Sequence, residues 1–202
     1  VVATTGTTRE RLIAAAQALL QEGGYGTVSV AGIGARAGVA ASAMYRHFPS
    51  KAELFVEVFR SVCGREIAAM ERAAEAVAAT GAPGVARVEE TLAVFATRAL
   101  ANPRLAWALL AEPVDPLVDA ERLAYRQTYR ALLSGLLAEA VAAGEIPAQD
   151  PDLTAAALVG AVGEALVGPL APAAEDRPDP AALVAALRVF ARRAVGSATA
   201  TA

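Results

Sequence analysis

Apolar residues recur at three- and four-residue intervals along most of the chain, the period of an amphipathic helix. Leu12, Ile13, Ala16, Leu19 and Leu20 share one such face. Thr7 and Glu10 stand ahead of it in capping-box spacing, and Gly23-Gly24 closes it. A second, short helix is predicted from near Ser29 to Gly38, with Val30, Ile33, Gly34 and Ala37 on one side. Gly38 stands where a left-handed residue ends a helix. A third is predicted over Ala41 to His47, and Met44 and Phe48 repeat the apolar spacing. Pro49 ends it, because the residue before proline avoids the helical region.

Ser50 and Glu53 form a second capping box, opening a long helix from Lys51 to Ala79 that the Gly81–Gly84 break closes. Another is predicted from Val85 to Ala101. Four further starts share one signature, an acid or amide followed by proline: Asn102-Pro103, Asp115-Pro116, Asp150-Pro151 and Asp179-Pro180. Those side chains cap, and proline suits the first helical position. The Asp115 helix should end at Gly144, the Asp150 helix near Gly168-Pro169, and the last at Val195 and Gly196. Segment 171–179 reads as a polar connection, and tails 1–6 and 197–202 as unstructured. No segment has strand period and no repeat is present. The expected fold is all-α, with about nine helices. A three-helix head, residues 1–50, stands before a helical bundle, residues 51–202.

Composition narrows the chemistry. One histidine, His47, and one cysteine, Cys63, leave too few ligands for a metal site and nearly exclude a Cys–His nucleophile pair. An intrachain disulfide is impossible, which fits a cytoplasmic protein. The carboxylate pairs Glu89-Glu90 and Glu175-Asp176 are sequence neighbours that point apart on a helix or sit in a loop, so no enzyme chemistry and no cofactor is expected. The apolar stretch 153–174 carries Glu164 at mid-span, at a cost to membrane insertion; a buried or subunit-facing helix is the expectation. Arg9 and Arg11 before LIAAAQALL mimic a signal peptide, but Gln17 interrupts the run and QEGG replaces a cleavage site. The net charge of −3 hides an asymmetry: residues 1–60 hold six Arg or Lys against four acids, and the remainder twelve against seventeen. A mildly basic head permits contact with nucleic acid without establishing it.

Two short helices joined at a tight glycine turn describe a helix-turn-helix, whose second helix enters the major groove. Gly34, having no side chain, lets another helix come close, and Val39 supplies an apolar plug. The segment from Thr27 to Leu54 resembles the DNA-binding head of the tetracycline-repressor (TetR) family. Ala37-Gly38-Val39, Tyr45-Arg46-His47-Phe48 and Pro49-Ser50-Lys51-Ala52-Glu53-Leu54 carry that resemblance over about a quarter of the chain. It implies a homodimeric transcriptional regulator, usually a repressor, released from a palindromic operator by a small-molecule effector. It further implies that Tyr45, His47, Lys51 and the Thr27 to Ser29 helix start meet phosphates. Ala41, Ser42 and Ala43 would face base edges, with Arg46 beside them. Tyrosine hydroxyl, imidazole and ammonium are donors suited to phosphate oxygens; Tyr45 as a packing residue and Lys51 as a solvated helix-start lysine are the alternatives. The family often has a hydroxyl residue where Ala40 stands, and alanine cannot cap. It often has charged residues where Ala31 and Gly32 stand.

In the bundle, Phe95, Arg98, Trp107, Glu112, Tyr125 and Tyr129 combine aromatic walls with a few polar groups, the usual make-up of a small-molecule site. Ordinary core and surface ion pairs are the alternative for each. Leu153, Ala157, Gly160, Ala161 and Glu164, followed by Leu183, Leu187 and Phe190, suit a two-fold subunit interface; intramolecular core is the alternative for half of them. The expected partners are double-stranded DNA, an effector and a second copy of the chain, with no membrane. A helical ligand-binding or interaction module without DNA binding is the competing function.

Overall fold

The computed structural model describes residues 6–174 and 177–196. The expected tails therefore fall outside the described residues except for Gly6, an exposed bend, as do Glu175 and Asp176. The fold is all-α, and no strand occurs among the described residues. In chain order the helices are α1 (Thr8–Gly23), α2 (Val30–Ala37), α3 (Lys51–Ala78), α4 (Gly84–Ala101), α5 (Pro103–Leu110), α6 (Pro116–Ala142), α7 (Pro151–Leu170) and α8 (Pro180–Ala194). Two 3-10 segments, Tyr25–Thr27 and Ala41–Arg46, flank α2.

The caps follow the side chains. Thr7 Oγ1 accepts from the Glu10 N–H at 3.3 Å, while Glu10 Oε2 accepts from the Thr7 N–H at 2.8 Å. Ser29 Oγ accepts from Gly32 N–H, and Ser50 Oγ from Glu53 N–H. Asp115, Asp150 and Asp179 each accept backbone N–H groups ahead of α6, α7 and α8. Each satisfied first-turn donor is worth about 1 kcal/mol.

Two elements differ from expectation. The segment after Gly38 is a 3-10 helix rather than an α-helix. Its start, Ala40, makes no side-chain cap bond, and the Ala43 N–H bonds to Ala40 O at 2.9 Å; a tightened turn is one way to satisfy donors a cap would have taken. Helix α7 runs through Pro169 to Leu170, one residue past its expected end near Gly168-Pro169. Leu170 is 1% exposed, so burial anchors a last turn that the missing proline N–H weakens.

The chain forms two compact units. The first comprises residues 1–63 and 104–123. Its core gathers Leu12, Leu20, Ile33, Met44, Phe55 and Phe59, none of them exposed; each contributes about 2 kcal/mol by burial. The second comprises residues 64–103 and 124–202. It buries Leu92, Leu133, Leu137, Leu158 and Leu166, and α4 packs against α7 and α8. Across the α4–α8 contact Glu89, 4% exposed, takes a bidentate pair from Arg192 at 2.7 Å. Glu90 pairs with Arg188 at 2.6 Å. Helix α7 is long and apolar enough, by length and composition, to cross a membrane. One side of it is buried through Ala155, Leu158, Val162, Leu166 and Leu170, and Glu164 stands exposed at mid-helix.

Candidate nucleic-acid interface

The joint of the helix-turn-helix is set by two glycines. Gly38 adopts φ 66° and ψ 39°, a left-handed turn that glycine enters without a Cβ penalty. A Cβ on Gly34 would lie 3.0 Å from Ala41 Cα and from Val39 O, so the backbone after the turn lies directly against α2. Ile33, Met44 and Phe48 are buried beneath, and Val39 packs on that core. Arg11 donates to the carbonyls of Ala37 and Gly38, a cation at a helix C-terminus where the dipole favours it.

This anchoring divides the residues expected to meet DNA. Ala40, Ala41, Ser42, Tyr45, Arg46 and His47 are exposed, Tyr45 at 58%. Among the described residues no hydrogen bond or ion pair engages the side chains of Tyr45, Arg46 or His47. Ala43 is buried, a correction to its expected place on the outer face; a methyl carries no polar group to hold it at the surface. The hydroxyls at the start of α2 are engaged locally, Thr27 with Gly24 O and Ser29 with Gly32 N–H. The α2 N-terminus still presents first-turn N–H groups, which favour anions.

Lys51 is turned inward. Its Nζ donates to Tyr25 O at 3.2 Å and lies 4.4 Å from the centre of the Tyr25 ring. Burial lowers the ammonium pKa from its ordinary value, and the Glu112 charge opposes that shift. Glu112, expected among effector-binding groups, accepts the Tyr25 N–H at 3.0 Å and the Gly26 N–H at 3.5 Å. Arg98 is likewise engaged, donating to both carboxylate oxygens of Glu66. These pairings join residues far apart in sequence, and helical periodicity carries no signal for them.

The remaining expected side chains fall as follows. Trp107 is half-buried on α5 in the first unit. In the second, the Phe95 and Tyr129 rings meet at 5.4 Å between centroids, and Tyr125, one turn before Tyr129, is half-buried. On α7, Leu153, Ala157, Gly160 and Glu164 are exposed, Leu153 at 68%, and Ala161 is half-buried. On α8, Phe190 is 41% exposed and Leu183 half-buried. Leu187 is buried, a correction to its expected place at a subunit surface. Leu187 and Ala191, one turn apart, are the buried residues of α8, and α8 packs on α4.

The sequence profile of the bacterial regulatory proteins of the tetR family matches residues 12–58, which take in the whole helix-turn-helix. The HTH-type transcriptional repressor KstR of Mycobacterium tuberculosis is 30% identical over 142 residues, 70% of this chain and 61% of that protein. The chain thus spans less than two thirds of the length of the curated relatives it matches. Among solved structures, a TetR/AcrR-family transcriptional regulator from Thermobifida fusca superposes with a TM-score of 0.68 at 26% identity, covering 91% of this chain and 95% of the other. The regulator FadR from Bacillus subtilis, solved in complex with stearoyl-CoA, shares the fold with a TM-score of 0.76 at 21% identity, covering 94% and 99%. With its helix-turn-helix matched and its fold shared across the described helices, the chain belongs to the tetR family of bacterial regulatory proteins.

Proposed function

We propose that this protein is a ligand-responsive DNA-binding repressor that acts as a homodimer in the cytoplasm. Residues 1–50 bind the operator, and residues 51–202 bind the effector and the second subunit. The observation that carries the reading is the surface at 40–47. Three donor side chains, Tyr45, Arg46 and His47, stand exposed and unengaged beside the small residues Ala41 and Ser42. Donors of that kind suit phosphate oxygens, and short side chains let a helix sit deep in the major groove. Alanine cannot form bidentate hydrogen bonds to a base, so sequence preference rests on methyl contacts, Ser42, Arg46 and DNA shape.

The subunit surface is assigned to the exposed sides of α7 and α8, with Leu153, Ala157, Gly160, Glu164 and Phe190. We read α7 as a subunit-facing helix and not as a membrane span. The effector is assigned to the aromatic pair Phe95 and Tyr129 with Tyr125 beside it. Release follows by population shift: the effector favours a conformation whose two reading segments no longer match major grooves roughly 34 Å apart.

A gel-shift titration with DNA flanking the protein's own coding region tests the reading. A specific complex that stearoyl-CoA or another acyl thioester dissociates is the expected result, since a fold relative binds that ligand. No specific complex with any flanking segment at moderate salt would contradict regulation of its own gene.

A further inference from the structure

The turn that leads into α2 is held from outside. Tyr25 has its N–H taken by the Glu112 carboxylate at 3.0 Å and its C=O by the Lys51 ammonium at 3.2 Å. One residue's two backbone polar groups are therefore bracketed by an acid and a base from distant parts of the first unit. The rest of the turn is shaped to allow it. Gly24 is buried with φ 82°, and a Cβ there would lie 2.6 Å from Glu112 Oε1. The Tyr25 ring packs edge-on against Phe55 at 4.8 Å, and Lys51 Nζ stands over the face of Tyr25.

Glu112 is itself fixed. Its N–H bonds to Trp107 O at 3.0 Å, and its C=O accepts from Arg122 at 2.7 Å. Arg122 also reaches Ala108 O at 3.1 Å and Asp119 at 3.0 Å. The carboxylate thus comes from a rigid corner between α5 and α6. It acts on the two residues immediately before Thr27, where the proposed phosphate-binding start of α2 begins.

We propose that Glu112 is a positioning residue for operator binding, holding the α2 N-terminus in place through the Tyr25 turn, and that Lys51 serves the same turn instead of a DNA phosphate. The proposal rests on the DNA-binding reading above. It changes the expected part of Lys51. A lysine whose Nζ is committed to a backbone carbonyl and an aromatic face contributes through the geometry it holds. It releases no counterion from DNA.

The salt dependence of binding separates the two roles, because a lost phosphate contact shallows the log–log slope by about one and a lost positioning contact does not. The full chain and the variants Glu112→Gln, Lys51→Gln and His47→Gln are titrated against a duplex selected in vitro by the unaltered protein, at several NaCl concentrations. Hydrogen exchange at the Tyr25 and Gly26 amides is followed without DNA. Glu112→Gln and Lys51→Gln should each weaken binding about tenfold, the scale of a charged hydrogen bond, with the slope of the unaltered protein. The double variant should lose little more than either single one, since both act on one turn. Glu112→Gln should speed exchange at both amides, which shows that the folded protein has lost the clamp. His47→Gln should shallow the slope by about one. A slope shallower by about one in Lys51→Gln would place Lys51 on a phosphate and overturn the inference. So would unchanged affinity and amide exchange in Glu112→Gln. If no duplex is selected, the DNA-binding reading falls and this inference with it; a duplex bound equally by all variants overturns the inference alone.

Discussion

The joint between α2 and the 3-10 segment and the contact between α4 and α8 are held by opposite means. The first rests on apolar fit: Ile33, Met44 and Phe48 are buried, and the Gly34 backbone touches Ala41. Its polar side chains at 45–47 are then left over for something outside. The second is crossed by two ion pairs, Glu89–Arg192 and Glu90–Arg188. There two large apolar residues are left facing out, Val189 at 46% and Phe190 at 41% exposed. The leftover set differs in each place, and so does the partner proposed for it: a polyanion at the first, a second copy of the chain at the second.

Gly34→Val strikes the first joint hardest. Its new atoms meet backbone that cannot yield, and overpacking of this kind costs about 3 kcal/mol, read as a lowered midpoint in urea unfolding. An unchanged midpoint would mean that close approach does not set the joint. Glu89→Ala strikes the second. Arg192 is about half exposed at 47% and can turn to water, so the cost should be about 1–2 kcal/mol, short of that for a fully buried pair. Glu22→Gln, which breaks the exposed pair with Arg36, should cost less than Glu89→Ala, because water screens a pair at the surface. Equal losses at Glu89 and Glu22 would remove the distinction between holding charges and surface charges.

Much of this was legible in the chain. Thr7, Ser29, Asp150 and Asp179 announce their helices because a cap is a local interaction, complete within three residues. Gly38 announces its turn for the same reason. The 3-10 winding at Ala41 was half legible, since Ala40 visibly lacks a capping group but the chain does not say how the turn compensates. Glu112 and Lys51 were legible as charged residues and not as partners of Tyr25. Their contacts span 87 and 26 positions, and only the packed fold brings them together. Likewise Ala43 and Leu187 match the pattern of their outward neighbours, and the core decides which way they turn.

Phe190→Glu tests the second leftover surface. A charge at the centre of the proposed α7–α8 interface should shift sedimentation toward the monomer by more than tenfold in dissociation constant, while helix content is retained. An unchanged dimer would move the subunit surface elsewhere. A smaller effect belongs to Glu57, whose hydrogen bond from Arg9, ahead of that from Arg60, lowers its pKa below the ordinary 4.5. The folded state therefore holds this proton less tightly than the unfolded state, so the contribution is present above pH 4.5 and lost as pH falls through the folded value. Glu57→Gln should flatten the acid side of a stability-against-pH curve. A curve of unchanged shape would show the pair to be inert.

We propose that DNA meets the unengaged donors at 45–47 and not the engaged charges of the same head. The salt slope of duplex binding for Arg46→Ala beside Arg36→Ala tests it most directly. Arg46 is free of ion pairs among the described residues, whereas Arg36 is held by Glu22. The slope should be shallower by about one for Arg46→Ala and unchanged for Arg36→Ala. Equal slopes for both variants, or the loss in Arg36→Ala alone, would contradict it.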